Sequence, residues 1–117
     1  MKTSVIIPNY NGIAFLEDCL STLETNKTAD FDFEVIVVDN GSEDGSAELV
    51  KEKFPDVRII ALDKNTGFAA AVNRGIEESA SEYVLLLNND IKVREDFVRR
   101  LEETIDSDTK LFSVNSL

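Results

Sequence analysis

Apolar positions along the chain alternate between two patterns. Short runs of consecutive apolar residues, the mark of strands covered on both faces, occur at residues 4–8 (SVIIP), 34–39 (EVIVVD), 57–62 (VRIIAL) and 83–87 (YVLLL). Between them the apolar residues take the spacing of an amphipathic helix. After the first run, Ile13, Leu16, Leu20 and Leu23 recur at i, i+3, i+7 and i+10. The second run is followed by a shorter helix that buries Ala47, Val50 and Phe54, with Asp44 as its N-cap and Pro55 as its stop. Gly67 opens a third helix whose buried stripe is Phe68, Val72 and Ile76. A fourth, over residues 95–107, carries Phe97, Leu101 and Ile105 on one face, and the ambiguous pattern of residues 110–117 suits the start of another strand. The alternation is free of internal repeats, low-complexity tracts and linkers.

Successive strand–helix units predict right-handed βαβ crossovers and a mostly parallel sheet with helices on both faces, an α/β fold. A single domain is expected, because 117 residues suit one core and leave no room for two. In such sheets ligands bind outside the carboxyl ends of the strands, where the strand order reverses. The residues at those ends are Asn9-Tyr10-Asn11-Gly12, Asp39-Asn40-Gly41-Ser42, Asp63-Lys64-Asn65-Thr66-Gly67 and Asn88-Asn89-Asp90. Taken singly, each reads as a turn or a helix cap. Together on one rim, they face a common crevice.

Composition narrows what that crevice holds. The chain carries 23 acidic against 12 basic side chains, a formal charge of −11, which repels nucleic acid and anionic lipid. A small anion is accommodated where a cation or aimed backbone N–H groups offset the field. The absence of histidine removes Ser-His-Asp and Cys-His catalysis and imidazole-based zinc sites. The single cysteine, Cys19, lies among Phe15, Leu16, Leu20 and Leu23 and reads as a small core residue. It cannot form an internal disulfide, which fits a reducing cytosol. No secretion signal precedes Pro8, and no apolar run approaches the ~20 residues of a membrane span, so a soluble, cytoplasmic chain is expected.

Candidate chemistry sits at the strand ends. Asp90 closes the Asn88-Asn89-Asp90 segment that follows an apolar run and suits a hard divalent cation, which takes one or two carboxylates plus substrate phosphates. Asn88 and Asn89 would add neutral oxygen ligands or hydrogen bonds; equally, Asp90 suits a turn or cap ahead of Ile91. Asp39 can accept an N–H from a nucleobase edge, a bond worth on the order of 1.5–3 kcal/mol, or close an Asx-turn over Asn40-Gly41. Residues 65–75 (NTGFAAAVNRG) place Asn65, Gly67 and Asn73 around a helix start whose N–H groups and dipole suit a phosphate. Arg74 reaches either that phosphate or solvent. Neither a dinucleotide fingerprint nor a P-loop follows the first strand, so dehydrogenase and ATPase readings lose their main support.

The series SVIIPNYNG, VIVVDNGSEDGS, NTGFAAAVNRG and YVLLLNND, in this order and spacing, resembles glycosyltransferase family 2 over residues 4 to about 101. The resemblance implies a Rossmann-like GT-A three-layer sandwich, a UDP-, dTDP- or GDP-linked sugar donor, and Mg²⁺ or Mn²⁺. It implies that Pro8, Asn9, Tyr10 and Asn11 border the nucleoside and that Asp39 and Asn40 meet the base. Asn65, Gly67, Asn73 and Arg74 would border the nucleotide and donor sugar, with Asn88 and Asn89 beside them. Asp90 corresponds to the last carboxylate of the family's D-x-D metal motif. Asn88 stands where the first carboxylate belongs, as in rhamnosyltransferase-like members, which implies a weaker or more donor-dependent metal. Members invert the anomeric centre by direct displacement, using an Asp or Glu as general base on the acceptor hydroxyl. That residue is expected beyond Leu117, because Asp96, Glu102, Glu103, Asp106 and Asp108 read as a solvated helix face. The expectation is therefore the N-terminal donor-binding portion of a longer inverting enzyme of polysaccharide biosynthesis, working at the cytosolic membrane face on a glycan, lipid or protein acceptor. The alternative is a non-catalytic module that binds a nucleotide or a partner. Apolar strand edges are expected to invite self-association.

Overall fold

The structure, a computed structural model, describes residues 2–107. The chain runs β1 (Thr3–Asn9), α1 (Ile13–Glu24), β2 (Glu34–Asp39), α2 (Ser46–Lys53), β3 (Arg58–Ala61), α3 (Phe68–Glu78), β4 (Tyr83–Leu86) and α4 (Phe97–Ser107). The strand expected within residues 110–117 lies outside the described residues. All pairings are parallel, in the order β3-β2-β1-β4. β1 pairs with β2 from Ser4↔Glu34 to Asn9↔Asp39 and with β4 from Thr3↔Tyr83 to Ile6↔Leu86. The chain steps outward from β1 to β3 and then returns to β1's other side, so the order reverses between β1 and β4.

The strand period of two sorts the sheet's side chains onto its two faces. Val5, Ile7, Val35 and Val37 meet Leu16, Cys19, Leu20 and Leu23 of α1, Val50 of α2 and Val98 of α4 in the larger core. Ile6, Ile36 and Val38 meet Ala71 of α3 in a smaller core on the opposite face. Three layers result, with one face covered by a single helix among the described residues. No helix among the described residues is long and apolar enough to cross a membrane.

That uneven cover explains where the burial pattern departs from expectation. The stripe Phe68, Val72 and Ile76 is not the buried face of α3: Phe68 is 59% and Ile76 45% exposed, and the helix buries Ala71 and Gly75 instead. Small residues bring α3 close to the sheet, and a Cβ built on Gly75 would lie 2.5 Å from Ile6 Cγ2. β4 is likewise not buried on both faces. Among the described residues it is an edge strand, and α3 packs over β1 and β2, leaving Val84 41% and Leu86 44% exposed. In α2, Val50 is fully buried while Ala47 and Phe54 are only half-buried.

The fourth helix begins two residues later than its apolar pattern suggests, and Val98 is its most deeply buried residue. Its acidic side chains are not uniformly solvated. Thr3 Oγ1 donates to Glu102 Oε1 at 2.9 Å, while the Lys2 ammonium (2.8 Å) and the Tyr83 hydroxyl both engage Asp106. These contacts tie α4 to β1 and β4. Asp96 pairs with Arg100 one turn on, and Asp108 lies outside the described residues.

Candidate functional site

β1 and β2 end side by side, so Asn9 and Asp39 are register partners, and both are buried. Asn9 Nδ2 donates to Asp39 Oδ1 at 3.0 Å, and the Ser42 N–H donates to Asp39 Oδ2 at 3.1 Å. The second bond reaches three residues on, one beyond the span of the Asx-turn weighed for Asp39, and closes the Asn40-Gly41 turn over the strand end. On its other side, Asn9 Oδ1 accepts from Asn89 Nδ2 at 2.7 Å.

Asn40, also buried, faces the next loop. Its Nδ2 donates to Asn65 Oδ1 and Gly67 O, while its Oδ1 accepts from the backbone N–H and hydroxyl of Thr66. With donors and acceptor occupied in this way, Asn40 holds the β3–α3 loop. The loop crosses directly over Gly41. A Cβ there would lie 2.5 Å from the Lys64 carbonyl carbon, and φ is +80°, so both space and backbone angle call for glycine.

Between these loops opens a pocket of about 180 Å³, lined by Pro8, Asn9, Tyr10, Asn40, Asn65 and Phe68. Tyr10 and Phe68 are well exposed rings. The pocket reaches the first turn of α3, whose N-cap, Gly67, has φ 92° and ψ 161° and supplies no side-chain cap. Orphan N–H groups at such a helix start suit an anion.

The loops after β1 and β2 are locked together by side chains that no periodicity announces. Asn11, at φ 50°, accepts from the Glu43 N–H through Oδ1, and its own N–H donates to Ser42 Oγ. Asp44 does not sit at the cap position of α2, which Gly45 takes. From one residue earlier, its Oδ1 accepts from the Ser46 N–H and its Oδ2 from the Ile13 N–H, both at 3.0 Å. One carboxylate thus serves the first turns of two helices. Burial alone would raise its pKa, but the hydrogen bonds from the Ser46 hydroxyl and the Ile13 and Ser46 N–H groups outweigh it and hold the carboxyl below the usual range.

Asp90 stands outside the pocket, across β1. It is exposed, between the exposed Asn88 and the half-buried Asn89 on one side and Ile91 on the other. Cys19 approaches this loop from the core, with Sγ 3.8 Å from Asn88 O. Burial, and secondarily the Asp90 charge, push its thiol up to about 12, so Cys19 is the core residue expected and a poor nucleophile. Among the described residues no group of three or more His, Cys, Asp or Glu side chains converges.

Of the residues singled out by sequence, Pro8, Asn9, Tyr10, Asn40 and Asn65 line the pocket, and Gly67 opens the adjoining helix. Asp39 lies buried beside Asn9. The two members drawn from the body of α3 do not join them. Asn73 and Arg74 are exposed in its second turn, and Arg74 Nε pairs with Glu78 Oε1 at 3.4 Å. Phe68 lines the pocket although its spacing marks it as core. Its position immediately after the strand-end glycine is the local sign of that role.

Known proteins share both the sequence and the architecture. Glycosyltransferase AglE of Haloferax volcanii is 33% identical over 105 residues, covering 87% of this chain and 34% of that one. The dolichol-phosphate mannosyltransferase of Pyrococcus furiosus is 33% identical over 108 residues, or 90% of this chain and 30% of its own length. The crystal structure of S. aureus TarS in complex with UDP superposes with a TM-score of 0.81 at 26% identity, over 92% of this chain and 32% of that one. The chain spans about a third of the length of these relatives, and the Rossmann-like GT-A sandwich is its fold. The family model described as glycosyl transferase family 2 aligns with residues 4–116. A match running through every strand and helix of the fold places this chain in glycosyltransferase family 2.

Proposed function

We propose that this chain binds the nucleoside diphosphate of a sugar donor at the β1, β2 and β3 tips. It is the donor-binding portion of an inverting glycosyltransferase that works on the cytosolic side. One observation carries the reading: a pocket edged by two exposed rings, Tyr10 and Phe68, opens beside the uncapped start of α3. A nucleobase stacks on aromatic faces, and a diphosphate is drawn to helix N–H groups. Asp39 and Asn65 supply polar groups for the base and ribose; Gly67 lets the backbone approach. The TarS complexes with UDP and UDP-GlcNAc support a nucleotide-sugar ligand.

Asp90, with the amide oxygens of Asn88 and Asn89, would hold Mg²⁺ or Mn²⁺ against the diphosphate. Such a cation, when bound, stabilises charge developing on the leaving group. The residues present fix the donor and shield it; deprotonation of a glycan, lipid or protein acceptor falls to a carboxylate beyond Leu117. Self-association through the exposed edge of β4 belongs to the same reading.

Calorimetric titration with UDP, dTDP and GDP, each with and without Mn²⁺, tests the site. One of them is expected to bind more tightly with the metal, and Asp90→Ala to abolish that gain. Failure of all three at millimolar concentration overturns the donor site; an undiminished gain in Asp90→Ala overturns the role of Asp90. Donor hydrolysis and sugar transfer by the full-length protein separate an enzyme from a nucleotide-binding module.

A further inference from the structure

Asp39 and the Asn88–Asp90 loop lie on opposite sides of β1, and one buried amide joins them. Asn9, only 2% exposed, donates through Nδ2 to Asp39 Oδ1 at 3.0 Å and accepts through Oδ1 from Asn89 Nδ2 at 2.7 Å. The direction of this line is dictated by its first member. A carboxylate only accepts, so Asn9 turns its NH₂ toward Asp39 and its oxygen toward Asn89. Asn89 must then present its own NH₂, which leaves its Oδ1 as the outward end of the line, one residue before Asp90. An acceptor at that end is the polarity a cation site requires.

A second observation points to the same line. A Cβ built on Gly12 would lie 2.1 Å from Asn89 Nδ2 and 2.5 Å from Asn9 Oδ1. The backbone of Gly12 (φ −105°, ψ 26°) is open to any residue, so the demand for glycine here is spatial: position 12 rests on the Asn9–Asn89 bridge.

We propose that Asn9 and Asn89 are positioning residues that couple nucleobase recognition at Asp39 to the Asp90 loop, and that Gly12 keeps the space their bridge needs. The proposal rests on the donor-site reading above. It makes base and metal binding cooperative, because an amide facing the wrong way at either end misorients the other.

The readout is the gain in nucleotide affinity on adding Mn²⁺, measured by calorimetry with whichever of UDP, dTDP and GDP binds the intact chain most tightly. Gly12→Ala, which crowds the Asn89-facing oxygen of Asn9 and leaves Asp39, Tyr10 and Phe68 in place, should cut the gain about 5-fold or more while metal-free affinity stays near the wild-type value. Asp39→Asn, whose amide frees Asn9 to flip, should lower the gain in the wild-type background and produce no further drop in Gly12→Ala. If circular dichroism shows Gly12→Ala unfolded, Asn89→Ala replaces it; because losing its amide oxygen lowers the gain by itself, the reading there is the double variant, in which adding Asp39→Asn should produce no further drop. A gain retained in the bridge variant, or an Asp39→Asn drop that persists there, overturns the coupling alone. A wild-type chain that binds no nucleotide, or shows no Mn²⁺ gain, overturns the donor-site reading and the coupling with it.

Discussion

Asp44 serves the first turns of α1 and α2 at once, so its removal leaves orphan N–H groups on two helices. Asp44→Ala should cost about 1–2 kcal/mol, read as a lower urea midpoint at neutral pH. Its carboxyl titrates below the ordinary range when folded, so this stabilisation is complete above the unfolded value. It fades as pH falls through the depressed one. The gap between wild type and Asp44→Ala should therefore narrow in acid; a gap independent of pH down to full protonation would remove the ionised cap from the account. Residues of this kind set the limit on what sequence discloses. Asp44 reads as the N-cap of its own helix, and Asn40 and Asn26 as turn formers. Asn26 in fact donates to Arg94 O and accepts from the Val98 N–H, capping a helix more than sixty positions away. A short amide looks the same in sequence whether it closes its own turn or bridges two distant loops.

Elements were more legible where the signal is local. The run EVIVVD coincides with β2, Glu34–Asp39, because a strand flanked on both sides must be apolar on both faces. β4 carries the same kind of run, yet two of its side chains are exposed, since cover depends on which helix lies overhead. The spacing of Phe68, Val72 and Ile76 correctly signals a helix but not its roll, which Ala71 and Gly75 settle by permitting close approach. Glycine to alanine inside a helix ordinarily gains about 1 kcal/mol. Gly75→Ala should instead lose stability by about 1–3 kcal/mol, because the new methyl meets the branched Ile6 side chain in a filled core. Chemical denaturation measures the sign, and a stabilised variant would mean α3 sits further from the sheet than described.

At the scale of the whole molecule, charge and cover oppose each other. Val84 and Leu86 expose apolar surface along an edge strand, which favours pairing with a second copy, while a net charge of −11 resists it. Added salt screens the repulsion, so sedimentation velocity should show association rising with ionic strength and with protein concentration, and Leu86→Lys should suppress it. A species that stays monomeric in both series would locate no contact at this edge. The sheet order has one more outcome, for synthesis. β1 leaves the ribosome first but lies between β2 and β4, and its β4 partner is translated more than seventy residues later. The nascent chain must carry a half-dressed central strand until β4 emerges, and the cleft, whose far wall follows β4, can close only then.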